Sequence, residues 1–150
     1  MRRPVGILFL GLLALAAAAG VACARDAAAP SPPIRADPVL ADLGEQTFMR
    51  HCASCHGESA HGDGTAASAL RTAPADLTRI AARRGGAFPE GEIARFIDGR
   101  FSVSAHGTRE MPVWGDRLGE RIPEAGVSEE VVRGQISVLI EYLKSVQVAE

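Results

Sequence analysis

The sequence predicts an all-α domain over residues 38–150. Apolar residues recur at helical spacing in a segment that ends near Cys52 and again close to the C-terminus. No alternating strand pattern and no internal repeat is visible. The intervening stretches are long and rich in Gly and Pro, and such loops are uncommon in a compact domain unless they wrap something. We therefore expect long first and last helices, with short helices and loops between them.

The first helix has a clear start in the sequence. Asp37 is a suitable N-cap, and Pro38 suits the first helical position because its missing N–H would have no helical partner there. The helix is expected to run to about Cys52. Its apolar positions are Val39, Leu40, Leu43, Thr47 and Phe48.

Short helices are expected in the middle of the chain, within and after a loop over residues 57–74. One is expected near residues 66–71. Asp76 can cap a second helix over residues 77–84, which Gly85 would end.

The remaining helices follow the same signals. A third helix opens at Pro89 and ends before Gly99, with Ile93, Phe96 and Ile97 on one face. Residues 100–127 show no clear period and are expected to form a loop. Ser128 can cap the last helix, in which acidic residues of the first turn suit the helix dipole. Its apolar stripe comprises Val132, Ile136, Leu139, Ile140 and Leu143.

The N-terminus predicts export. Residues 1–22 begin with two arginines and continue as an uncharged run rich in Ala, Gly and Leu, which is typical of a signal peptide. Small residues before Cys23 resemble a lipoprotein cleavage site, which would leave a lipid on Cys23. Cleavage nearby without lipidation and an uncleaved anchor are the alternatives. Residues 23–37 are rich in Ala and Pro and suit a stiff linker ahead of the domain.

Charge and composition limit the function classes. Residues 1–22 contain only the two arginines as charged residues, so their removal changes the formal charge from −2 to −4. No basic patch with interleaved aromatic residues is visible, which argues against a nucleic-acid partner. The chain has one Trp, one Tyr and five Phe, so a large cofactor would help to fill its core.

The stretch HCASCHG, residues 51–57, carries the main chemical signal. The C-x-x-C-H spacing is typical of covalent c-type haem attachment, in which Cys52 and Cys55 reach the two vinyl groups and His56 binds iron. A redox dithiol does not require the histidine and is expected within a βαβ pattern, which is absent. A structural zinc site usually needs a second ligand pair. Haem is favoured, with zinc and a dithiol as alternatives.

Residues 40–148 resemble a class I c-type cytochrome, of the exported bacterial type with one haem. Gly44, Phe48 and Cys52 follow one another at four-residue intervals, and Leu139 and Tyr142 match the family's positions on the last helix. The resemblance implies a cytochrome c fold, in which Gly44 and Phe48 let the first helix cross closely against the last and the loops wrap one covalent haem c.

The resemblance also implies the ligands. The Pro74 carbonyl would accept a hydrogen bond from the free ring nitrogen of His56, which would fix the ring and raise its basicity. Met111, in the loop REMPVWG and 55 residues after His56, would be the second axial ligand. His106 is the nearest rival. Met49 lies one turn before Cys52, too close to reach the opposite face of the haem, and is expected in the core instead.

Five further side chains are assigned less specific roles. His51 and His61 are expected to be exposed and not to bind iron. Trp114 would either cover the haem edge or pack in the core. Arg100 or Arg109 could pair with the haem propionates.

These residues predict single-electron transfer by a six-coordinate His/Met haem c in the periplasm. The protein would be an electron carrier, not itself an enzyme, with a redox protein as donor and another as acceptor. Lipid on Cys23 would tether it to a membrane. The alternatives are a haem c subunit of a larger periplasmic or membrane-associated oxidoreductase complex and a haem-based ligand sensor.

Overall fold

The computed structural model describes residues 32–100, 111–119 and 129–148. Within these ranges the chain forms α-helices and 3-10 turns and no strand, so the all-α prediction is confirmed. The helices are α1 (Pro38–His51), α2 (Ala53–His56), α3 (Glu90–Asp98), α4 (Trp114–Arg117) and α5 (Glu129–Ser145). The 3-10 turns are Ala67–Ala69, Leu77–Arg79 and Ala82–Arg84.

Helix α1 begins as its sequence predicts. The Asp37 side chain accepts hydrogen bonds from the backbone N–H groups of Val39 and Leu40, at 2.9 and 3.0 Å. The N–H of Asp37 itself donates to the Glu141 carboxylate at 2.7 Å. The cap therefore also ties the start of α1 to α5.

Helices α1 and α5 cross at very short range. A Cβ at Gly44 would overlap with the Val138 carbonyl oxygen, so only glycine permits this approach. Beside this point, the rings of Phe48 and Tyr142 lie 4.9 Å apart between centroids, and Leu139 is buried. The helix pairing implied by the resemblance is confirmed.

The buried face of α1 differs from the predicted apolar face. Its buried residues are Ala41, Gly44 and Phe48, whereas Val39 is 69% and Leu43 48% exposed. The reason is the close crossing, which admits small residues and leaves the branched side chains outside. Leu40 and Met49 are also exposed, so the prediction that Met49 lies in the core is wrong.

The middle of the chain forms tighter and shorter turns than predicted. Residues 77–84 form two separate 3-10 turns instead of one helix, although Asp76 caps the first of them as expected. Residues 66–71 contain a single 3-10 turn. Phe96 is exposed because it lies about 100° around α3 from the buried Ile97.

Helix α4 lies in the segment predicted as loop. It is one turn long, which is too short to show a period in the sequence. The predicted cap Ser128, the rival ligand His106 and residues 1–31, including Cys23, lie outside the described residues. None of the described helices has the length and apolar character that crossing a membrane requires.

Candidate functional site

The C-x-x-C-H motif forms a helical turn directly after α1. Cys52 is the boundary between α1 and α2, and its carbonyl accepts the N–H of His56 at 2.9 Å. Cys52 and Cys55 form no disulfide, and both are half-buried. Because α1 is fixed by its crossing with α5, the position of the motif is fixed by the same crossing.

The following loop folds back over α2 and caps its carbonyl groups. Gly62 N–H donates to the carbonyl of His56 at 2.7 Å, and Gly64 N–H donates to that of Cys55 at 3.1 Å. A Cβ at Gly64 would overlap with the backbone of α2. Gly57, with φ +79°, provides the reversal that starts this path. The glycines therefore hold the loop against the motif.

His56 is oriented by a backbone carbonyl. Its Nδ1 lies 3.1 Å from the carbonyl oxygen of Ala75. A carbonyl only accepts, so Nδ1 carries the hydrogen and Nε2 keeps its lone pair. Burial lowers the pKa of His56, while the bond to Ala75 opposes this shift. The result is a neutral, oriented imidazole, which is the form that binds a metal ion.

The acceptor predicted for this bond is wrong by one residue. The carbonyl of Ala75, not that of Pro74, faces the His56 ring. The Pro74 carbonyl instead packs so closely on Gly62 that a Cβ there would overlap with it. No sequence signal could identify Ala75, because every residue has a carbonyl group and only the path of the loop selects one.

Cys52 suits a neutral thioether better than a thiolate. Burial raises the pKa of Cys52 to about 12, and the neighbouring Cys55 adds to this effect. Redox dithiols and zinc ligands depend instead on easily ionised thiols. Within residues 32–100, 111–119 and 129–148, no three His, Cys, Asp or Glu side chains gather as a metal site. The donor set of Cys52, Cys55 and His56 therefore fits covalent haem attachment.

The Met111 segment, residues 111–117 including α4, lies against the same core as the motif. Met111 and Trp114 are half-buried and pack on the buried cluster that Cys52 also contacts. The ring of Trp114 lies 5.6 Å from that of His51, the residue directly before Cys52. His51, predicted to be exposed, is half-buried and links α1 to α4.

Comparison with known proteins assigns the family. Residues 39–122 match the family described as cytochrome c oxidase, cbb3-type, subunit III. The chain belongs to this family. A curated relative, the cbb3-type cytochrome c oxidase subunit FixPc of Rhizobium leguminosarum bv. viciae, is 38% identical over 86 residues. The alignment covers 56% of this chain and 24% of the relative, so the chain spans about a quarter of its length. No solved structure matches significantly.

Membership of the cbb3-type subunit III family confirms the resemblance to a c-type cytochrome. The domain carries covalent haem c and serves electron transport. The family match covers the C-x-x-C-H motif as well as Met111.

The other residues considered from sequence have different partners. Arg100 binds Asp98 and Glu129, so its guanidinium is already engaged by carboxylates. The His61 side chain is 52% exposed, as predicted, and lies 3.6 Å from Asp76. Arg109 lies outside the described residues.

Proposed function

We propose that this domain transfers single electrons through a six-coordinate haem c with His56 and Met111 as axial ligands. The observation that carries the proposal is the bond between His56 Nδ1 and the Ala75 carbonyl, which leaves Nε2 available. Haem c, when bound, supplies a one-electron iron couple. Cys52 and Cys55 would hold it covalently. Pro74 would restrict the backbone that presents Ala75.

Met111 is the proposed second ligand for reasons of placement and chemistry. As an iron ligand, its thioether would favour the reduced state and would leave no open position for small ligands. It packs on the cluster that Cys52 contacts, and Pro112 restricts the backbone after it. Met49 is not proposed as the ligand, because it lies on α1 only one turn from Cys52 and is 40% exposed.

We further propose that the domain works as a haem c subunit of a cbb3-type oxidase and faces the periplasm. The family and the FixPc relative support this placement. The domain would pass electrons between redox proteins and would not itself perform catalysis. A lipid on Cys23 would tether it, and Cys23→Ser should then release it from the membrane fraction. An unchanged distribution would argue against the tether.

Visible and near-infrared spectroscopy of the exported, haem-loaded protein tests the ligation. The oxidised protein should show the near-infrared Fe–S(Met) band, and Met111→Ala should abolish it. Met49→Ala is the matched control and should retain the band. A band that persists in Met111→Ala would refute the assignment. Rapid CO binding by the reduced wild type would instead favour the ligand sensor.

A further inference from the structure

The Met111 segment packs on a charged cluster at the ends of two other helices. Gly115, four residues after Met111, is buried against the side chains of Asp98 and Arg100. A Cβ at position 115 would overlap with both of them. This contact supports α4 at Gly115, whereas Trp114 of the same helix packs on the core and on His51. The cluster is therefore a second support of the segment, separate from the core.

Arg100 is bound by two carboxylates at once. Its Nε and Nη2 donate to the two oxygens of Asp98 at 2.8 and 2.7 Å, and its Nη1 and Nη2 donate to Glu129 at 2.9 and 2.7 Å. Asp98 ends α3 and Glu129 begins α5, so the guanidinium joins the two helices. A bidentate pair of hydrogen bonds fixes the orientation of the guanidinium as well as its distance from the carboxylate. Arg100 therefore presents one defined surface to Gly115.

The electrostatics of the cluster agree with this geometry. Arg100 lowers the pKa of the Asp98 carboxyl and that of the Glu129 carboxyl below their usual ranges. The two carboxylates in turn raise the pKa of Arg100. All three groups are therefore charged at neutral pH, as these charge-assisted hydrogen bonds require.

We propose that the Asp98–Arg100–Glu129 cluster positions Met111 on the haem iron by supporting α4 through Gly115. The inference rests on the proposed ligation by Met111. Loss of the cluster removes the surface on which Gly115 packs, so the Met111 sulfur should leave the iron more often. Cys52, Cys55 and His56 lie in other elements, and haem attachment should persist.

A second ion cluster provides a matched control. Lys144 donates to Glu90 and Glu141, both at 2.9 Å, and its side chain is 11% exposed. It also joins α3 to α5, but at the first residue of α3, whereas Asp98 is the last. Lys144→Met therefore removes a comparable link between the same two helices, away from Gly115.

Imidazole binding to the oxidised, haem-loaded protein is the test, because imidazole competes with Met111 for iron. Arg100→Met should weaken the Fe–S(Met) band and tighten apparent imidazole binding by about tenfold, the scale expected for lost charge-assisted hydrogen bonds. Lys144→Met should leave both unchanged. Arg100→Lys keeps the charge but not the bidentate hydrogen bonds, so its imidazole affinity should fall between those of wild type and Arg100→Met.

Each result decides the inference. Wild-type imidazole affinity in Arg100→Met, or equal tightening in Lys144→Met, would overturn it. If Arg100→Met does not yield haem-loaded protein, Glu129→Gln should still tighten imidazole binding, and an unchanged affinity there would overturn the inference equally. Absence of the Fe–S(Met) band from wild type would instead refute the ligation itself.

Discussion

Phe48 and Tyr142 pack against each other across the α1–α5 crossing, with ring centroids 4.9 Å apart and planes tilted by 40°. The contact lies one turn after Gly44 and one turn before Cys52. The same helix crossing therefore fixes both the core and the start of the C-x-x-C-H motif. Changes at the crossing should affect stability first and the haem site second.

Gly44→Ala should destabilise the protein although alanine favours a helix. The added Cβ would overlap with the Val138 carbonyl, and overpacking of this kind costs about 1–3 kcal/mol. Gly134→Ala on α5 is the control, because nothing lies within 4 Å of its new Cβ. It should stabilise by up to about 1 kcal/mol through helix propensity. Urea unfolding of the haem-loaded variants measures both, and changes of the same sign would contradict the close crossing.

Phe48→Ala should lower the free energy of unfolding by about 3–5 kcal/mol, because a fully buried aromatic ring is removed. The neighbouring Met49 is 40% exposed, so Met49→Ala should change the free energy of unfolding by about 0.5 kcal/mol or less. Thermal unfolding distinguishes the two variants. Similar losses for both would mean that the α1 face is assigned incorrectly.

Gly62→Ala should raise the reduction potential of the haem-loaded protein. Gly62 has φ +85°, and a Cβ there would displace the Pro74 carbonyl and the adjacent Ala75 carbonyl. A weakened bond to His56 Nδ1 makes the imidazole a poorer donor to oxidised iron, which favours the reduced form. Redox titration measures the change. Gly85→Ala, where φ is also positive but the space is open, controls for backbone strain.

Stability should fall in acid through the Arg100 cluster. The pKa of Asp98 is lower in the folded protein than its usual value, because Arg100 stabilises the carboxylate. The contribution of Asp98 to the free energy of unfolding is therefore fully present above the unfolded pKa of about 4 and is lost as the pH falls through the folded pKa. Glu129 acts in the same direction. Urea unfolding between pH 3 and 7 should show a shallower pH dependence for Asp98→Asn than for wild type. Parallel profiles would contradict the role of Asp98.

Local signals in the sequence predicted the helix starts and the motif well, whereas contacts between distant segments were not predictable. Asp37 and Asp76 cap their turns as expected because capping depends on neighbouring residues. The partner of His56 depends on how a loop returns, so the prediction missed Ala75. The exposed face of α1 was also missed, because apolar periodicity does not reveal that a close crossing selects small residues.

Covalent attachment of haem to Cys52 and Cys55 is the central claim, and acid–acetone extraction followed by intact mass measurement tests it most directly. The protein exported from cells with haem maturation should keep the mass of one haem and a c-type reduced spectrum after extraction. Cys52→Ala combined with Cys55→Ala should lose both. Haem that is extracted from the wild type, or a wild-type protein that holds zinc instead, would contradict the account.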